Sequence, residues 1–277
     1  MPFIDLAASP LAPGVSPVRV HYRDAGAGSP LLFLHSGWGY EIYPFDRQIA
    51  ALASTHRIVI PDRSGYGRSG AIAAMPVDFH ARAADETRGV IEALALDRPV
   101  VWGHSDGGII ALLLALAAPT LVAGVIAEAT HFYRRKPRSR AFFESMRDKP
   151  ETLSESVTSV LAHDHGTRWP DVIERHSRAW QLIARDAMSD TTDFYGGRLG
   201  AIAVPLLVVH GARDPRTEPG EIDALTRSLE GSARVVVLSD GGHSPHSEAA
   251  TADEVTSIAQ TFIERVSATL PLPARES

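Results

Sequence analysis

The stretch "VVWGHSDGGIIALLLALAAPT", residues 100–120, decides the fold. It opens with an apolar run typical of a buried strand, turns at Gly103, and continues as an apolar helical segment that Pro119 ends. Ser105 lies at the hinge between the two. The residues around it fit G-x-S-x-G, a sharp strand-to-helix turn that presents a serine hydroxyl above the sheet and places a helix N-terminus beneath it. The pattern predicts that Ser105 is a catalytic nucleophile.

Composition excludes several classes of function. The 277 residues carry a net charge of −6 and contain no cysteine, so disulfides, thiolate metal sites and a cysteine nucleophile are ruled out. The chain has no overall basic charge of the kind that would indicate nucleic acid or an anionic membrane as a partner. The N-terminus lacks the features of a secretion signal, and the longest apolar stretch, residues 109–118, is too short to span a bilayer. We therefore expect a soluble cytoplasmic protein with no nucleic-acid or membrane partner.

Short apolar runs alternate with helical patterns along most of the chain, which predicts an α/β fold with a mostly parallel central sheet and helices on both faces. Runs rich in Val, Ile and Leu, without polar alternation, favour strands buried on both faces. A first strand is expected after Pro17; the buried strands are predicted at 31–35, 56–62, 99–104, 121–129, 205–211 and 233–240, and the helices at 77–96, 105–118, 219–230 and 249–268.

One segment interrupts this alternation. Residues 131–195 contain dense charges and helical patterns but no predicted strand, so we interpret them as a helical insertion, here called the cap. Residues 1–130 and 196–277 would then form the core domain. The basic run 134–140 could attract an acidic substrate, although a solvated charged face is the simpler interpretation. The C-terminal "PLPARES" is expected to be frayed.

Two later segments supply what a serine nucleophile requires. A serine hydroxyl needs a base to remove its proton, and that base needs an orienting partner. "VVHGARDP" places Asp214 just after one predicted strand, and "VVVLSDGGHSPHSE" places His243 just after the next. Both follow strands of a parallel sheet, and so lie at the edge where such sheets bind ligands. Ser105, Asp214 and His243 are therefore the predicted catalytic triad.

These motifs together resemble the α/β-hydrolase-fold serine hydrolases, over about residues 18–265 apart from the cap. The matching pieces are "HYRDAGAGSPLLFLHSGWG", "PDRSGYGRSG", "WGHSDGGIIALLLA", "VVHGARDP" and "GGHSPHSE". The Ser-Asp-Gly-Gly sequence is weakly similar to esterases of the valacyclovir-hydrolase kind. The resemblance implies an α/β-hydrolase fold with a helical cap insertion and no cofactor or metal.

The resemblance also implies an oxyanion hole. The loop "LHSGWG" corresponds to the family's His-Gly-x loop, so the backbone N–H groups of Gly37 and Asp106 are the implied donors. Ser36 departs from the family pattern, which has glycine at that position. Trp38 is expected to line the substrate pocket, together with His131 and Trp180 of the cap.

Several residues have competing interpretations. Glu128, at the end of a predicted strand, is the alternative acid of the triad, and His246 is a weaker alternative to His243. The Asp106 side chain could bind a cationic substrate group, but capping of the following helix is favoured. His35 and His104 are expected to brace the site, and Asp62 to bond to local backbone and arginines. His163, His165 and His176 lack the spacing of metal ligands.

The sequence thus predicts a cofactor-independent hydrolase that cleaves a small carboxylic ester through an acyl-enzyme. The same triad could serve a C–C bond hydrolase, a lactonase or a perhydrolase. From a different class, a ligand receptor with a slow hydrolase site remains open. The natural substrate, enantiopreference and oligomeric state do not follow from the sequence.

Overall fold

The structure, a computed structural model, describes residues 2–269 and contains one eight-stranded sheet in the order β1-β2-β4-β3-β5-β6-β7-β8. β2 pairs antiparallel with β1 and β4, and every other pairing is parallel. The strands are β1 (Phe3–Leu6), β2 (Val18–Ala25), β3 (Ser29–Leu34), β4 (His56–Pro61), β5 (Val100–His104), β6 (Gly124–Glu128), β7 (Leu206–Gly211) and β8 (Ala233–Leu238). The α/β class and the mostly parallel sheet are confirmed.

The helices cover both faces of the sheet. They are α1 (Asp46–Leu52), α2 (Phe79–Ala93), α3 (Asp106–Ala117), α4 (Arg140–Asp148), α5 (Glu155–His165), α6 (Trp169–Asp186), α7 (Glu221–Ser228) and α8 (Ala252–Thr269). Successive residues of β3 point to opposite faces: Leu32 packs in the core beneath α2 and α3, and Phe33 packs in the core beneath α1 and α8. The central strands are therefore buried on both sides, which explains their unbroken apolar runs.

Two elements do not appear in the sequence-based prediction. β1 is a four-residue edge strand in which only Leu6 is buried, and α1 spans only seven residues. β6 begins at Gly124 rather than 121, because Pro119–Leu121 form a 3-10 turn after α3. The "PLPARES" tail lies outside the described residues.

The segment 131–195 contains α4, α5 and α6 and no strand longer than an isolated bridge between Tyr133 and Asp193. These helices share a small apolar core built on Met146, Leu161 and Ile173. The exact division into core and cap at residues 131 and 195 stays a prediction. Among residues 2–269, no helix combines the length and the apolar character needed to cross a bilayer.

Candidate active site

Ser105 occupies a sharp turn between β5 and α3. Its φ of +54° and ψ of −115° lie in a region that non-glycine residues rarely adopt, which marks stored backbone strain. The turn is possible only with small neighbours: a Cβ on Gly103 would lie 2.0 Å from the carbonyl oxygen of Gly107. The Ser105 N–H donates to the carbonyl of Glu128 at 2.9 Å, which holds the turn against β6.

The three predicted triad residues meet at the carboxyl ends of β5, β7 and β8. His243 Nε2 lies 3.1 Å from Ser105 Oγ, and His243 Nδ1 lies 2.9 Å from Asp214 Oδ2. These are hydrogen-bond distances for both links. The arrangement allows His243 to take a proton from Ser105 while Asp214 holds the imidazole with Nδ1 protonated.

Asp214 is held as a carboxylate. Its Oδ1 accepts the Arg216 backbone N–H at 2.8 Å, and the residue is buried. Burial alone would raise the pKa of Asp214, but the hydrogen bond and charge of His243 and the charge of His210 lower that pKa to about 2. The side chain is therefore ionised at neutral pH, as an orienting acid must be.

His104 positions the loop that carries His243. Its Nε2 donates to the His243 carbonyl oxygen at 2.8 Å, and its ring is fully buried behind the turn. Burial and repulsion from His246 lower the pKa of His104 to about 3, so the ring is neutral. His104 thus contacts the backbone of His243, and Ser105 contacts the ring of His243.

Glu128 and His246 form a separate buried pair. Glu128 Oε1 lies 2.9 Å from His246 Nδ1, and Glu128 Oε2 accepts the Trp102 indole N–H at 2.9 Å. His246 Nε2 is turned toward the Tyr43 carbonyl at 3.1 Å. Glu128 therefore does not take the place of Asp214 beside His243, and His246 does not take the place of His243 beside Ser105. The two residues are bonded to each other instead.

The loop after β3 is braced from outside the cavity. His35 Nδ1 donates to the Ser36 carbonyl at 2.7 Å, and His35 Nε2 accepts the Arg63 backbone N–H. The Arg63 guanidinium bonds to the carbonyls of both His35 and Ser36. The Trp38 N–H donates to Ser36 Oγ at 3.4 Å, which favours Gly37 rather than Trp38 as an oxyanion donor.

The Asp106 side chain does not bond to the N-terminus of α3. It points toward helix α6 of the inserted segment instead. Its Oδ2 lies 2.8 Å from His176 Nε2, and its Oδ1 accepts the Trp180 indole N–H at 3.2 Å. His80 Nε2 is also 3.2 Å from Oδ1. Burial opposes ionisation, but the charges and hydrogen bonds of His176 and His80 hold the pKa of Asp106 well below its usual range. The favoured helix-cap interpretation is wrong, because the side chain finds its partners on α6 and α2.

A cavity lies over Ser105 and His243 and opens to solvent. The three predicted pocket residues, Trp38, His131 and Trp180, all line it. Sequence reasoning missed other lining residues: Tyr43, Lys136, Phe142, Phe143, His176 and Arg216. Of these, Arg216 could have been expected in the lining from the sequence, because it follows the predicted acid Asp214 by two residues.

The comparisons with known proteins agree with this geometry. The family model described as "Alpha/beta hydrolase family" matches residues 31–255. This chain belongs to the α/β hydrolase family. The human serine hydrolase BPHL is 26% identical over 261 residues, which cover 90% of this chain and 84% of that protein.

Other relatives of this α/β hydrolase differ in their named chemistry. A 2-hydroxy-6-oxononadienedioate/2-hydroxy-6-oxononatrienedioate hydrolase from Paraburkholderia phymatum is 27% identical over 237 residues, 76% of this chain and 79% of that protein. A thermophilic esterase from Thermogutta terrifontis superposes with a TM-score of 0.72 at 23% identity, covering 96% of this chain and 99% of that one. The latter likeness shows the fold alone.

The basic run of this α/β hydrolase is mostly engaged in ion pairs. Arg134 pairs with Asp186 and Arg135 with Asp190, both near the end of α6. Lys136 is buried, at 5% exposure, and pairs with Glu221 at the start of α7. The interpretation of the whole run as a solvated face is therefore wrong at Lys136, which contributes to the cavity wall.

The remaining polar candidates have structural partners. Asp62 accepts from His21, from the Arg23 guanidinium and from the Arg68 N–H, as its sequence context indicated. His165 bonds to the Gly67 N–H and the Trp38 carbonyl. Within residues 2–269, no three His, Asp or Glu side chains gather as a metal-ligand group.

Proposed function

We propose that this α/β hydrolase cleaves a small carboxylic ester through a Ser105–His243–Asp214 triad and an acyl-enzyme. The observation that supports the proposal is the chain of contacts from Ser105 Oγ to His243 Nε2 at 3.1 Å and from His243 Nδ1 to Asp214 Oδ2 at 2.9 Å, beneath an open cavity. Nucleophile, base and orienting acid then each have the neighbour that their role requires.

In this mechanism His243 removes the Ser105 proton while Oγ attacks the ester carbonyl carbon. The developing oxyanion accepts hydrogen bonds from the backbone N–H groups of Gly37 and Asp106. His243 then protonates the departing alcohol, leaving the acyl group on Ser105. A water molecule, deprotonated by His243, attacks the acyl carbon; the bond to Ser105 Oγ breaks, the acid is released, and His243 returns the proton to Oγ. No cofactor takes part in any of these steps.

Labelling with a fluorophosphonate tests the nucleophile. We expect one modified residue, Ser105, identified by peptide mass spectrometry, and no labelling of Ser105→Ala. Hydrolysis of a short-chain p-nitrophenyl ester should disappear in the same variant. Labelling of another serine, or none on folded protein, would remove the basis of the proposal.

A second candidate is C–C bond hydrolysis. The similarity to the Paraburkholderia hydrolase favours it, since a hydroxy-oxo-dienedioate contains no ester and its hydrolysis must break a carbon–carbon bond. A panel of short esters, lactones, diketones, and carboxylic acids supplied with hydrogen peroxide, each with Ser105→Ala as control, separates the ester hydrolase from the C–C hydrolase, lactonase and perhydrolase. Ligand binding that alters partner association with negligible turnover would instead indicate a receptor.

A further inference from the structure

Arg216 lies in the loop after β7 that carries Asp214, and its side chain lines the cavity. Its backbone N–H donates to Asp214 Oδ1, so the acid of the proposed triad holds the main chain at Arg216 in place. Its guanidinium carbon lies 3.4 Å from the centre of the Phe142 ring, and that ring stacks on Trp38 with centroids 5.5 Å apart. Arg216, Phe142 and Trp38 thus form a three-layer stack in the lining that also contains Ser105.

The other charged side chains of the cavity lining are paired within the protein. Lys136 is bonded to Glu221, and Asp106 is bonded to His176 and Trp180. Within residues 2–269, the Arg216 guanidinium forms no ion pair and no hydrogen bond with a carboxylate. Burial lowers the pKa of Arg216, but a guanidinium remains protonated at neutral pH. The negative charge of nearby Asp214 acts on it through space, but that carboxylate is hydrogen-bonded to His243, so among the described residues Arg216 is left without a direct ion-pair partner.

The stack decides which part of Arg216 a ligand can contact. Phe142 covers one face of the guanidinium, which is a favourable cation–π arrangement. The N–H donors lie in the plane of the group and point outward from its edges. A planar group with two acceptor oxygens, such as a carboxylate, matches that fork of donors.

We propose that Arg216 binds a carboxylate of the substrate, so that the preferred substrate is an ester carrying a second, ionised carboxyl group, such as the monoester of a short dicarboxylic acid. The identity of this substrate as an ester rests on the function proposed above. The same charge disfavours cationic esters, and Asp106 offers such a cation no free carboxylate, because its oxygens already accept from α6.

Binding can be measured without turnover in the Ser105→Ala protein. Isothermal titration calorimetry would compare the monomethyl esters of succinic, glutaric and adipic acid with neutral counterparts in which a carboxamide replaces the free carboxyl group. We expect at least one acid to bind about 10- to 100-fold more tightly than its amide, the effect of a charge-assisted hydrogen-bonded pair.

Variants at Arg216 test whether that preference comes from this residue. Ser105→Ala/Arg216→Gln should bind acid and amide equally, and Ser105→Ala/Arg216→Lys should retain part of the preference, since it keeps the charge but loses the fork. The matched control is Arg213→Gln in the same loop, whose exposed side chain pairs with Asp240 outside the cavity and should leave the preference unchanged. Circular dichroism and the thermal midpoint of each variant report on folding.

The outcomes separate the two proposals. Equal affinity for acids and amides, no binding of the acids, or a preference that survives in Arg216→Gln overturns the role of Arg216, even if the wild type hydrolyses neutral esters. A preference that depends on Arg216 supports the carboxylate site. If the wild type then fails to hydrolyse the bound monoester, the ester hydrolase function fails while the site stands.

Discussion

Asp106 Oδ2 and His176 Nε2 lie 2.8 Å apart, which ties the residue after the candidate nucleophile to helix α6 of the cap. Both side chains are buried, so this bond is not weakened by competition with water. The backbone N–H of Asp106 serves the proposed oxyanion hole, while its side chain fastens the cap to the core. One residue therefore links the reaction centre to the packing of the insertion.

Replacement of Asp106 by alanine should destabilise the protein by roughly 3 kcal/mol, because His176, Trp180 and His80 lose a buried partner. Urea unfolding at neutral pH measures the loss. The control Asp253→Ala removes an exposed partner of Arg47 and should change stability by less than about 0.5 kcal/mol. Equal stabilities of Asp106→Ala and wild type would show that the contact with α6 contributes nothing.

Asp214→Asn should lower kcat by about 10⁴-fold, because an amide favours the imidazole tautomer that cannot accept the Ser105 proton. Steady-state kinetics on a short ester measures this effect. Glu128→Gln is the informative comparison, since its carboxylate bonds to His246 and Trp102 rather than His243. If Glu128→Gln abolished turnover and Asp214→Asn did not, the acid would have been assigned to the wrong strand.

Gly37→Ala should damage catalysis through a steric clash. A Cβ at this position would lie 2.0 Å from His176 Nε2 and 2.7 Å from Asp106 Oδ2, both of which are held by their mutual bond. Displacing the loop misplaces one proposed oxyanion donor, a loss of about 10²- to 10³-fold in kcat. Gly70→Ala, whose Cβ would meet its nearest atom at 3.7 Å, should retain activity. Wild-type kcat in Gly37→Ala would argue against this loop as part of the oxyanion hole.

Stability should depend on pH through Asp62. Burial would raise the pKa of Asp62, but its hydrogen bond with His21, the charge of Arg23 and the Arg68 N–H lower that pKa to about 2. Because the folded pKa lies below the unfolded one, the unfolded state takes up the proton first as the pH falls. The contribution of Asp62, about 2 kcal/mol at neutral pH, should be complete above about pH 4 and disappear toward pH 2.

Urea unfolding of wild type and Asp62→Asn at pH 7, 4 and 3 tests this dependence. The stability difference between them should be largest at pH 7 and shrink at pH 3. A difference that stays constant with pH would mean that the Asp62 contacts stabilise the fold without its charge.

The sequence predicted the parts of this molecule that depend on local pattern. Unbroken apolar runs located the central strands, and the order of Ser105, Asp214 and His243 along the chain predicted which side chains the structure brings together. β1 escaped prediction because an exposed edge strand of four residues carries no strong apolar periodicity. The partners of Asp106 could not be predicted, since His176 lies 70 residues away on an inserted helix.

The ion pair of Lys136 also joins residues that are distant in the sequence. Within its basic run Lys136 resembles its neighbours, and only the three-dimensional structure shows that it bonds to Glu221, 85 residues later. The stacking of Arg216 on Phe142 likewise joins the loop after β7 to helix α4 of the cap, whose orientation the sequence does not predict.

The contacts of Asp106 have a consequence for how ligands enter. Lifting α6 away from the core would break the bonds of the ionised Asp106 carboxylate to His176 and Trp180 and leave it with only His80 of these three neighbours, which is unfavourable. We therefore expect helix α6 to stay packed against the core when substrate enters and product leaves. Ligand exchange would then occur around the edges of α6, through smaller rearrangements of side chains.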